Sequence, residues 1–247
     1  MSPSTPATTV TSISLAVVFL NALSGSVAYS KMKRIDYKSG AIFAAAAVPG
    51  SLGGAWVTQF LPRAVFDGVF GTVLILVASY LAYRSFQHPR EGGASPETTG
   101  RSRLSHVVRT VVDWEEISWV FSYNPLLGVM VSVLIGFLSS LLGIGGGIFH
   151  VPLLATALNF PVHIATATSH FVLSIMTFSG TVVHLLGGDL ARSGLLVAGL
   201  GSGAVVGAQA GARLSKRVQG PWIIRILAGV LVLVGLRLFL MFLPGNR

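Results

Sequence analysis

Cysteine is absent from the chain, which excludes disulfides, thiol catalysis and cysteine-ligated metal. Charge is nearly absent as well. Aspartate, glutamate, lysine and arginine make up 10% of the residues and hydrophobic residues 52%, whereas soluble domains are roughly a quarter charged. Residues 126–158 contain no charged side chain at all. No lysine or arginine precedes the first apolar segment, so that segment does not read as a secretory signal. Acids are scarcer than bases, 8 against 17. The resulting charge of +9 would suit nucleic acid, but the bases flank apolar segments and form no continuous patch, so no nucleic-acid partner is expected. With a mean hydropathy of +0.75, the composition is that of an all-α, polytopic protein of the cell membrane.

Apolar segments of near spanning length fall at residues 10–29, 39–61, 65–83, 125–142, 163–186, 194–214 and 222–243, with a shorter arm at 148–158. Lys31, Lys33, Arg34 and Lys38 place the first turn in the cytoplasm, and Lys216, Arg217 and Arg225 do the same for the last. The loop at 84–124 then lies on that side. Within it, Gly92-Gly93-Ala94-Ser95-Pro96 reads as flexible linker. Residues 104–121 read as an interfacial amphipathic helix with Trp114 and Trp119 at headgroup level, or else as a solvated linker.

The centre of the chain is Gly143-Ile144-Gly145-Gly146-Gly147-Ile148-Phe149-His150-Val151-Pro152. Four glycines in five positions and a proline predict broken backbone inside an apolar run. Such a break has to be buried in protein or line a wet cavity, although glycines also serve plain helix packing. The spacing does not fit a dinucleotide fingerprint.

An internal repeat organises the rest. Thr9-Val10-Thr11-Ser12 matches Thr166-Ala167-Thr168-Ser169, Ser24-Gly25 matches Ser179-Gly180, and Gly50 to Ala55 matches Gly203 to Ala208. The turn after the first Thr-Ser helix is basic and the turn after its mate is not, which predicts two inverted repeats. The expected units are residues 1–86, a first repeat of three helices; 87–124, a cytoplasmic linker; and 125–247, a second repeat with the glycine-rich hairpin plus three helices. Copy one has no counterpart of that hairpin. The expectation is that the first repeat is incomplete at its amino end because the start is assigned too late.

Repeat-interface sites near the midplane suit small anions, held by helix amino ends and hydroxyls. The substrate-binding candidates are Gly143, Gly145, Gly146, Gly147, His150, Thr168, Ser169 and His170, joined from copy one by Thr11, Ser12 and Asn21. His150, His170 and His184 are ionisable groups inside apolar segments, which suggests a coupling proton or ion as readily as it suggests helix-interface packing. No resident metal or cofactor is expected. An intramembrane hydrolase using Ser24 or Ser26 with His170 or His184 is the enzymatic alternative, and it lacks a nucleophile motif. A membrane subunit that does not transport is a further alternative.

The glycine run with Val151-Pro152-Leu153, followed by Ala165-Thr166-Ala167-Thr168-Ser169 and the glycine-rich helices behind it, resembles the sulfite exporter TauE/SafE family of membrane permeases. The resemblance implies two inverted repeats, a multi-pass cytoplasmic-membrane location, and movement of small anions, often sulfur-containing ones. It also implies that the chain is not an enzyme. Phe149-His150 departs from the aliphatic pair expected there.

Overall fold

Asp36 and Asn124 each begin a helix by accepting backbone amides. Asp36 takes the Ser39 N–H, and Asn124 takes those of Leu126 and Leu127, which satisfies donors the first turn would otherwise leave open. The computed structural model describes residues 7–60, 68–76, 106–143, 145–188, 193–218 and 220–242, with single residues at 62, 65, 79 and 190. Its helices are α1 (Ala7–Lys31), α2 (Tyr37–Val57), α3 (Pro125–Leu142), α4 (Gly147–Thr156), α5 (Val162–Leu186), α6 (Gly194–Leu214) and α7 (Gly220–Phe242). A 3₁₀ turn, Thr58–Phe60, extends α2, and residues 68–76 are helical. Among the described residues five helices are long and apolar enough to cross a membrane. The expected third span, 65–83, lies partly outside the described residues, and the linker at 92–96 lies wholly outside them.

The interfacial helix expected at 104–121 is instead an antiparallel hairpin, β1 (Val107–Val112) with β2 (Ser118–Tyr123), in which Val107 pairs with Tyr123 and Val112 with Ser118. Valines and aromatics dominate both strands, and these residues fit a pleated surface better than a helix. Asp113 makes the turn. Its carboxylate accepts the Glu115 and Ile117 amides, and Glu116 adopts φ 61°. Arg109, Val111, Trp119, Phe121 and Tyr123 share one face of the hairpin, and Phe121 and Tyr123 are buried in the main core with Phe43, Phe160 and Leu158.

Helix contacts rest on small residues and hydroxyls. A Cβ added at Gly50 would lie 2.1 Å from the Val133 carbonyl oxygen, at Gly54 2.2 Å from that of Phe137, and at Gly136 2.2 Å from that of Ala47. α2 and α3 therefore touch backbone to backbone. Ser51 Oγ lies 2.7 Å from Ser140 Oγ and donates to the Met176 carbonyl at 2.8 Å, so one side chain joins α2, α3 and α5. α1 packs on α5 and on α6, where Ser24 Oγ donates to the Val205 carbonyl and Gln209 Nε2 to the Ser24 carbonyl.

The basic residues of the first turn are only partly a solvated orientation signal. Arg34 is buried against Asp113 at 3.2 Å and Glu115 at 3.4 Å, and Arg109 pairs with Asp36 at 2.7 Å. Burial pushes the Asp36 carboxyl up, but hydrogen bonds from Arg109 and Ser39 outweigh it and hold the group below its ordinary 3.8. Asp113 behaves alike, with burial opposed by the Trp119 indole, two amides and Arg34. A carboxyl depressed in the fold stabilises it above the unfolded pKa and stops doing so as pH falls through the folded one. Hydrogen exchange of the amides at 107–123 is therefore expected to stay protected from pH 8 to about 5, after correction for intrinsic rates, and to lose protection only below about 4.

Candidate functional site

The glycine run interrupts the helix as its composition predicts, at mid-bundle. α3 ends at Gly143 in the left-handed conformation, φ 65°, and Gly145 follows at φ 66°. Only glycine takes two such turns in quick succession without strain. Gly145 faces Val18, halfway along α1, and Gly143 faces Thr11. Pro152 does not take part in the break. It sits inside α4, the sixth residue of a helix starting at Gly147, where it costs one backbone hydrogen bond.

No side chain caps α4. Phe149 and His150 donate back to the Gly146 carbonyl, and Gly147 and Ile148 form the first turn of the helix. Both residues line a cavity of about 290 Å³, shared with Gly145, Val151, Val18, Asn21, Thr166, His170, Leu173, Ile223 and Leu227. That is at the small end for ligand pockets. Its described lining holds no carboxylate and no lysine or arginine. The polar side chains of that lining are Asn21, His170 and Thr166. His170 Nδ1 lies 3.0 Å from the Thr166 carbonyl oxygen, and Thr166 Oγ donates to that of Val162. Ring carbons of His170 press on Gly25, where an added Cβ would stand 2.3 Å from Cδ2.

Four of the candidates, Asn21, Gly145, Gly147 and His170, thus meet at one cavity; the other seven do not line it. Gly143 and Gly146 shape the break as the C-cap of α3 and the N-cap of α4. Thr168 Oγ accepts the Asp36 amide at 3.0 Å, and Ser12 Oγ donates to the Thr9 carbonyl. Thr11, Ser169 and His150 are each 0% exposed, and their hydroxyls and ring nitrogens have no hydrogen-bond partner among the described residues. Thr166 was not among the candidates, although helical spacing signals it: residues 166, 170 and 173 share one face of α5, and 168 points to the opposite side.

Among the described residues Ser24 and His170, one pair of the serine–histidine alternative, bond other groups. Ser24 is engaged with Val205 and Gln209, and His170 with Thr166.

Comparison with known proteins gives the family. The family model of the sulfite exporter TauE/SafE matches residues 1–238. The chain belongs to that family. This TauE/SafE protein is 32% identical over 225 residues to the probable membrane transporter protein YunE of Bacillus subtilis (strain 168), a match covering 91% of this chain and 78% of the relative. It is 30% identical over 173 residues to the probable membrane transporter protein MJ0441 of Methanocaldococcus jannaschii, covering 70% of this chain and 54% of that one. No solved structure matches it. This TauE/SafE chain is a multi-pass cell-membrane transporter and not an enzyme.

Proposed function

We propose that the protein moves a small, sulfur-containing oxyanion across the cytoplasmic membrane, and that the anion binds at the open amino end of α4 between Asn21 and His170. The observation that carries this reading is a cavity at mid-bundle, beside the amino end of a helix, whose described lining offers a carboxamide and an imidazole and holds no carboxylate to repel an anion. An α-helix amino end favours negative charge, and a weakly charged pocket binds without trapping. The family description names sulfite.

The inverted repeat belongs to the same proposal. Two features support it: α1 ends and α5 begins beside the hairpin, with Arg34 on Asp113 and His163 near Trp119, so the matched helices run oppositely. In addition, Gly25 meets His170 while its mate Gly180 meets Leu15, and the register shift that carries Gly25 to Gly180 carries Leu15 to His170. The hairpin end carries Lys31, Lys33, Lys38, Lys216 and Arg217, which assigns it to the cytoplasm.

The test is sulfite flux in proteoliposomes, with acetate and choline as comparison solutes. Sulfite is expected to move fastest, and Asn21→Leu and His170→Leu are each expected to weaken its apparent affinity about 10- to 100-fold, the loss of one hydrogen bond to a charged group. Equal rates for all three solutes, or full affinity in both variants, would refute the assignment.

A further inference from the structure

We propose that the β1–β2 hairpin and the α1–α2 turn form the cytoplasmic gate of the transport path, shut in this structure by a crossed pair of salt bridges. The proposal rests on the cavity being the transport site. On the hairpin side of that cavity Ala28, Tyr29, Met32 and Ile35 of α1 and its turn pack with Ala167 of α5 and Ala212 of α6 into a buried apolar plug. Tyr29 stands edge-on to His170 of the cavity at 5.2 Å and reaches Ser215 beyond α6 at 3.4 Å.

The hairpin holds the plug in place. The Trp114 amide donates to the Met32 carbonyl, Tyr123 Oη lies 2.7 Å from Ser39 Oγ, and Lys216 of the α6–α7 turn stacks on the Trp114 ring at 4.1 Å. Between these contacts the charges alternate. Arg34 and Asp36, two residues apart, face Asp113 and Arg109, four residues apart, so each sign meets its opposite in one register only. The Asp36 amide also bonds Thr168, which ties the clasp to the helix that lines the cavity.

Three features mark this contact as reversible rather than core. The clasp itself is made of charges that water can solvate once parted, and the hairpin's apolar anchors, Phe121 and Tyr123, lie beside it in the main core. Arg34 Nη1 is buried with no partner among the described residues, so the shut form is not fully satisfied. Lys33 and Glu116, one on each side of the clasp, hold left-handed φ of 53° and 61°, and strained non-glycine backbone collects at switch segments. Opening exchanges protein partners for water and relieves both. The plug then follows the turn away from His170.

The chain has no cysteine, so a single Leu227→Cys on the cavity wall reports access to it. In inside-out vesicles at pH 7, modification by a membrane-impermeant maleimide is expected to run at least about tenfold faster in Arg109→Asp than in its parent, the shift that loss of one charge-assisted pair produces. The charge swap Asp36→Arg with Arg109→Asp is expected to restore the parent rate. Right-side-out vesicles are expected to show no gain. Arg109→Gln gives the same comparison where Arg109→Asp does not insert. Unchanged labelling in inside-out vesicles would overturn the gate, as would an equal gain from both sides. Flux is not measured here, so failure of sulfite transport bears on the proposed substrate alone.

Discussion

Gly145→Leu is expected to abolish sulfite flux, by more than about 100-fold, while leaving a protein that inserts and purifies as a single species. Two effects combine at this position. The backbone stands at φ 66°, where an L side chain costs roughly 1–2 kcal/mol. Its Cβ would also fall 2.1 Å from Val18 Cγ1 of α1. Relief requires the loop to swing away, which withdraws Gly147 and Ile148 from the cavity, or requires α1 to move out and distort it. Binding geometry tolerates little of either, since misplacement by about 1 Å costs around 100-fold. The α2–α3–α5 contacts hold the bundle without Gly145, so folding survives. Gly147→Ala is the matched control: its Cβ would meet only Leu173 Cδ2, at 3.2 Å, and the residue is helical. Flux through Gly145→Leu within about threefold of the parent would remove the break from the transport path, because the two effects above cannot both be absorbed without moving the cavity wall.

Much of this arrangement was legible in the chain because membrane spans and helix breaks have local causes. α3 and α6 fall at the bounds their apolar runs predict, and the glycine run breaks the helix where its φ requirements fall. What sequence did not convey is tertiary. The hairpin at 107–123 hides in a loop whose Trp and charge content fits an interfacial helix equally well, and only its pairing against Phe160 and Arg34 selects strands. Arg34 looks like an orientation signal until its partner Asp113, more than seventy residues away, is in view. The site was half readable for a related reason. Residue type pointed to Thr168, Ser169 and His170, and of these only His170 lines the cavity, together with Thr166 and Leu173. Thr168 turns to the clasp instead.

The glycine ridges of α2 and α6 match in sequence and are expected to respond to the same change in opposite ways. In Gly50→Ala and Gly54→Ala each new methyl meets a carbonyl oxygen of α3 at 2.1 or 2.2 Å, and a backbone carbonyl has no rotamer by which to retreat. α2 and α3 must separate by about 1 Å or more, a shift that also pulls Ser51 from Ser140 and Thr58 from the Leu141 carbonyl. The double variant is expected to lose about 3 kcal/mol or more of stability, the upper range for overpacking with polar contacts broken besides. Gly203→Ala and Gly207→Ala, at the matching positions of α6, meet nothing within 4 Å among the described residues, so their double variant is expected to melt within about 2 °C of the parent. Thermal unfolding in detergent, followed by circular dichroism, separates the two cases. A shared sequence pattern is thus not a shared load: what a glycine contributes depends on whether a second backbone lies against it, and α3 supplies that backbone to α2. Equal losses in both double variants would mean that the α6 ridge is packed in the membrane as tightly as its mate, and that the repeats are closer to symmetric in their contacts than in this structure.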